Sequence, residues 1–131
     1  MIKKSVYAIF FIGLIQCNYG FSQSLDCNNP INFARDLYSI GDFRTLKLVL
    51  KNCILNQKKS SNFERNQARE LFALTAIAQD SISGAENIIT EIILSDSSYE
   101  PALGNSNYVF NQIYIKSYKN NVGTQISSVS K

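Results

Sequence analysis

The sequence predicts an all-α fold in which two helical hairpins stack and a C-terminal helix closes the stack. Three observations carry that expectation. Helix-spaced apolar stretches flank Gly41-Asp42, a second such pair flanks Asp80-Ser81, and a further amphipathic stretch follows Pro101.

In the first hairpin, Ile31, Ala34, Leu37 and Tyr38 share one helical face before the break. Phe43, Leu46, Val49, Leu50 and Cys53 share one after it. Gly41 suits the left-handed residue that ends a helix, and Asp42 suits the acceptor that opens the next. Residues 56–62 are polar and predict a loop. Ser61-Asn62-Phe63-Glu64 then has the S-x-x-E pattern of a capping box.

The third helix follows, with Ala68, Leu71, Phe72, Thr75, Ala76 and Gln79 at helical spacing and Leu74, Ile77 and Ala78 widening its apolar face. It is expected to be the most buried element, with Arg65, Arg69 and Glu70 free to face water. Asp80-Ser81 ends it. Ala85, Ile88, Ile89, Ile92 and Ile93 predict a fourth helix, which residues 95–98 and Pro101 terminate. Pro101-Ala102-Leu103-Gly104 reads as a turn. Over residues 107–118, Val109, Phe110, Ile113 and Tyr114 predict the closing helix; Tyr114 and Tyr118 read either as cap residues with wet hydroxyls or as the lining of a binding surface.

At the start of the chain, Lys3 and Lys4 precede an apolar run over residues 6–15, the length of a signal-peptide core and too short to span a bilayer. Residues 1–23 are therefore expected to be a cleaved signal, residues 24–119 the helical domain and residues 120–131 a polar, flexible, linker-like tail. The alternative is cleavage before Cys17 with lipid added to its thiol, although Leu14-Ile15-Gln16 lacks the small residue that such processing requires. Either route exports the chain.

Export leaves Cys27 and Cys53 in an oxidising space, at neighbouring ends of an antiparallel hairpin and so placed to form a disulfide. The competing reading makes Cys53 a small buried apolar residue and leaves Cys27 unpaired. The chain of 131 residues carries 13 Lys+Arg, 10 Asp+Glu and no histidine. Without imidazole, the commonest general base and the commonest metal ligand are both missing. No cofactor, metal site or catalytic residue is expected. Glu86/Glu91 and Asp36/Asp42 are the close carboxylate pairs, and both read as solvated helix residues. With Lys3 and Lys4 removed the chain is nearly neutral and without a block of like charge, so nothing asks for nucleic acid or an anionic membrane as partner.

The two breaks, Gly41 and Asp80, lie thirty-nine positions apart, a little over the ~34-residue period of helical-hairpin repeats. The pattern resembles the tetratricopeptide repeat family. Ala34, Leu37, Gly41, Phe43 and Leu50 fill its small, large, glycine, aromatic and large positions in the first unit; in the second, Ala73 and Ala85 take small positions and Ile89 a large one, with Pro101 following a few residues late. Leu46 and Asp80 depart from the pattern, standing where a small residue and glycine are usual. The resemblance implies a short right-handed solenoid of two tetratricopeptide-like hairpins with a C-terminal capping helix.

The whole layout is similar to the N-terminal periplasmic extension of some TonB-dependent outer-membrane receptors of Bacteroidota-type bacteria. The similarity is carried by the cysteines around the first hairpin, Ala68-Arg69-Glu70-Leu71-Phe72-Ala73-Leu74-Thr75, Tyr99-Glu100-Pro101 and Ile126-Ser127-Ser128-Val129-Ser130-Lys131. It implies a non-enzymatic interaction module on the periplasmic side of the outer membrane, monomeric and bound to an envelope protein, as the N-terminal part of a receptor without its plug and barrel. The alternative expectation is an exported, stand-alone helical protein with a structural or spacer role and no ligand.

Overall fold

The computed structural model describes residues 25–123, and every regular element among them is helical. In chain order these are α1 (Pro30–Ile40), α2 (Phe43–Leu50), α3 (Asn62–Ala78), α4 (Ile82–Ser95) and α5 (Tyr108–Tyr118). The expected signal segment, Cys17 and residues 124–131 lie outside the described residues.

The two hairpin turns are built alike. Gly41 sits at φ 78°, and the next amide, Asp42 N–H, reaches back 2.9 Å to Leu37 O. Asp80 takes the same left-handed place at φ 58°, and Ser81 N–H reaches 2.8 Å to Ala76 O. Both are six-to-one helix-ending turns that satisfy carbonyls the helix leaves open. Aspartate at the second costs more than glycine would, because its Cβ crowds the left-handed conformation. Asp42 then caps α2, its Oδ1 accepting from Thr45 N–H at 3.2 Å. Ser61 and Glu64 form the reciprocal capping box of α3, at 3.1 and 2.9 Å.

α2 does not stop at Leu50. It widens into a π-helical turn over Lys51–Leu55 that carries Cys53 and is closed by Asn56 N–H to Lys51 O at 2.8 Å. There Cys53 lies at disulfide-bonding distance from Cys27, with Cα atoms 5.4 Å apart. The pair ties the exposed segment ahead of α1 to the far end of α2, opposite the Gly41 turn.

α3 is the central element. It packs on α1, on the end of α2 and, most extensively, on α4; α5 lies across α4 and touches α3. The core is contributed by all five helices, with Ala34, Leu46, Leu50, Ala68, Ala73, Ala85, Ile89 and Phe110 fully buried. Alanine at the facing positions lets the helix axes approach closely. The isoleucines of α4 face inward at 89, 92 and 93 as a helix, not a strand. Past Tyr118 the backbone continues as a π-helical turn over Lys119–Gly123, and Val122 packs against the core. Helical structure thus runs beyond the boundary at residue 119 drawn from sequence polarity.

One glycine is required by its surroundings. A Cβ at Gly104 would stand 2.5 Å from the ring of Phe110, and that ring, fully buried, has nowhere to go. Gly104→Ala is expected to cost about 1–3 kcal/mol, read by urea unfolding. For the cysteine pair, chain entropy gives a sharper expectation. Cross-linking across a separation of 26 residues stabilises by about 3.5 kcal/mol. Urea unfolding of the Cys27→Ser/Cys53→Ser chain should show a loss near that size, and reduction of the native chain should show the same loss.

Candidate functional site

Two polar side chains of α3, Asn66 and Glu70, are fully buried one helical turn apart. Asn66 Oδ1 accepts from Arg69 Nη1 at 2.8 Å and from Ser95 Oγ at 2.9 Å, which fixes the end of α4. Glu70 Oε2 accepts from Tyr99 Oη at 3.1 Å and from the Leu103 amide at 3.3 Å, which fixes the loop after it. The expectation that Glu70 faces water is therefore wrong. The loop over residues 96–107 closes over it and supplies donors to Oε2, while Oε1 is buried without a hydrogen-bond partner, so its burial is only partly offset. Burial raises the Glu70 carboxyl above its usual value, outweighing the hydrogen bonds from Tyr99 and from the amides of Leu103, Gly104 and Ala102, which act to lower it. Desolvation, and then the negative charge of Glu70, pushes the Tyr99 phenol far above its normal range.

Tyr114, half-buried, donates to Tyr99 O at 2.9 Å. Its ring stacks on that of Tyr118, with centroids 6.3 Å apart. Both tyrosines line a cleft of about 540 Å³ with Tyr99 and Pro101.

A different surface gathers charge. Two adjoining depressions of about 320 and 370 Å³ share Lys51 and run over α2, α3 and α4. Arg44, Lys47, Lys51, Arg65 and Arg69 surround them, against a single carboxylate, Glu91. Leu48, Leu55, Phe72 and Ile88 supply the apolar part. Leu48 is 48% exposed, while the other three are recessed and half-buried. Positions 44, 47, 48 and 51 share one face of α2, and positions 65, 69 and 72 share one face of α3, so two short helical stripes meet.

Several of the cations are held in place. Lys47 Nζ donates to Gln79 Oε1 at 3.2 Å, Arg65 Nη2 donates to Gln57 O at 2.9 Å, and Arg69 Nε lies 3.7 Å from Glu91. That last pair is solvent-exposed on the Glu91 side and contributes little to stability. Arg44 and Lys51 stand exposed.

The positions singled out from the sequence serve the scaffold. Ala34, Leu50, Ala73, Ala85 and Ile89 are fully buried, Leu37 is 6% exposed, and the Phe43 ring sits 5.8 Å from Tyr38 across the Gly41 turn. Cys27 and Cys53 are brought together, away from the groove. Of the carboxylate pairs, Asp42 is a helix cap, while Glu86 lies 3.8 Å from Lys116 and Glu91 is on Arg69. Neither pair converges on a shared site. Comparison with protein-family models, with curated proteins and with solved structures finds no match.

The geometry at Glu70 gives a pH dependence with a defined sign. A carboxyl raised in the folded state binds its proton more readily there than in the unfolded chain, so this group's ionisation opposes folding. Its contribution improves as pH falls through the folded value towards the unfolded value of about 4.3. Asp42 and Asp96, both lowered by hydrogen bonds, work in the opposite sense, and their contributions are lost below about pH 4. Glu70→Gln keeps an acceptor for Tyr99 and Leu103 and removes the charge. Its stability advantage over the native chain should be largest at neutral pH and shrink as pH falls towards the usual carboxyl value, as read by paired urea titrations. Glu70→Ala strands both donors and should cost about 2–3 kcal/mol at neutral pH.

Proposed function

We propose that this chain is an exported, non-enzymatic protein-interaction module of the bacterial envelope, monomeric and working beside TonB-dependent uptake on the periplasmic side of the outer membrane. The observation that carries the reading is the groove over α2, α3 and α4. Its recessed apolar floor and cationic rim are what a surface needs to hold another polypeptide, with apolar contact for affinity and charge for selection. The cysteine pair at bonding distance suits an oxidising compartment. The layout that resembles receptor extensions, and the hairpins that resemble tetratricopeptide repeats stacked in a short right-handed solenoid, supply the uptake context. A non-catalytic role agrees with how the carboxylates are used. Glu70 is sealed inside, and Asp42, Glu64, Glu86 and Glu91 are engaged in caps and ion pairs.

The competing reading is a spacer with no ligand. A smooth, charged surface would favour it, and the half-buried Phe72 and Ile88 at the floor of the groove speak against it. A photoreactive residue placed at position 48, at the mouth of the groove, separates the two in living cells. The interaction reading predicts one dominant cross-link to a component of outer-membrane uptake. An export-competent, folded chain that cross-links to no envelope protein would establish the spacer.

A further inference from the structure

We infer that the groove over α2, α3 and α4 takes an acidic polypeptide segment carrying apolar anchors, contributed by a second protein. The inference rests on the interaction reading above and names the chemistry of the partner.

Charge asymmetry is the first ground. The described residues carry as many acids as bases once Lys3, Lys4 and Lys131 are set aside. Against that balance, Arg44, Lys47, Lys51, Arg65 and Arg69 converge on one face with only Glu91 opposing them. Such a face attracts a negative partner and repels a positive one, and both effects sharpen selection.

Shape is the second ground. From Arg44 to Lys51 the cationic stripe of α2 runs about 10 Å along the helix, the footprint of a short peptide segment. Phe72, Leu55 and Ile88 lie below the rim, half-buried between three helices. A flat anionic bilayer would meet the rim charges and leave this floor uncovered. A protruding leucine or phenylalanine flanked by aspartate or glutamate would fill the floor and pair with the rim at once.

Immobilisation is the third. Lys47, Arg65 and Arg69 are already positioned by Gln79, the Gln57 carbonyl, Asn66 and Glu91, so less side-chain freedom is lost when a partner arrives. Arg44 and Lys51, exposed at the rim, remain to make new charge contacts.

The test is a fluorescence-anisotropy titration of the disulfide-intact chain with a labelled peptide of alternating acidic clusters and leucines. A basic peptide of the same spacing, an acidic peptide with serine in place of leucine, and vesicles rich in phosphatidylglycerol are run beside it. The inference expects saturable binding of the acidic-leucine probe, with the basic and serine probes and the vesicles at least tenfold weaker. Raising salt from 50 to 500 mM should weaken binding severalfold.

The chain with Arg44→Glu and Lys51→Glu should bind at least tenfold more weakly. Lys58→Glu with Lys59→Glu, an equal charge change on the loop before α3, should bind as the native chain does. Circular dichroism and melting confirm that both variants fold. Binding that the groove variant leaves unchanged, equal binding of the serine probe, or preference for vesicles would each overturn the inference. So would self-association that excludes the probe, read by light scattering. If the Arg44→Glu/Lys51→Glu chain loses the probe yet keeps the native cross-link from position 48, the acidic-partner assignment falls while the interaction reading stands. Loss of that cross-link together with the probe supports both.

Discussion

Burying Glu70 in the middle of α3 sets the terms for everything C-terminal to it. A carboxylate taken out of water calls for donors, and the chain meets its Oε2 with the Tyr99 hydroxyl and the Leu103 amide, leaving Oε1 buried without one. That requirement pulls the loop over residues 96–107 back across α3. The Leu103-Gly104 stretch then passes close against Phe110, where only glycine fits. Once the loop is placed, Tyr114 can reach the Tyr99 carbonyl, and α5 is locked in its position over α4. Asn66, one turn earlier, does the same for the end of α4 through Ser95. The apolar core makes the helices associate, but this polar seam decides where the last helix lands.

The N-terminal half is secured differently. The first hairpin has no buried charge to anchor it, and its ends are tied by the Cys27–Cys53 pair and by its packing on α3. The groove straddles the two regimes, between the covalently closed hairpin and the α3–α4 pair. Both of its walls are therefore restrained, and its rim is displayed by helices instead of loops. A surface built on restrained elements loses little entropy on binding, which is what makes a small domain useful as an interaction module.

Much of this architecture is legible in the sequence, because each helix boundary is written in local chemistry. Gly41, Asp42, Ser61 with Glu64, and Asp80 all act within a few residues of their own position, and each does so in the structure. Cys27 and Cys53 become neighbours simply because an antiparallel hairpin returns to its start. What local pattern conceals is long-range polar pairing. Glu70 looks like a solvent residue between Arg69 and Leu71, and only Tyr99, far along the chain, makes it interior. The groove escapes notice for a related reason. Its cations come in pairs and singles from α2 and α3, so no run of like charge marks them in the sequence. The sequence signal is the helical spacing of Arg44, Lys47 and Lys51 and of Arg65 and Arg69. The π-helical turns leave no such mark: Cys53, Ile54 and Leu55 continue the apolar pattern of an ordinary α-helix, and Lys119–Gly123 is mostly polar.

The groove proposed as the binding surface competes with the tyrosine cleft and with the surface beside the disulfide. Amide chemical-shift mapping of the isotope-labelled chain, titrated with the acidic-leucine peptide, distinguishes them directly. Binding in the groove should place the largest shifts on residues 44–51, 65–72 and 88–91 and leave the amides around Tyr114 and Cys27 unmoved. Shifts concentrated along the Tyr99–Tyr118 cleft, or spread evenly over the surface, would contradict it.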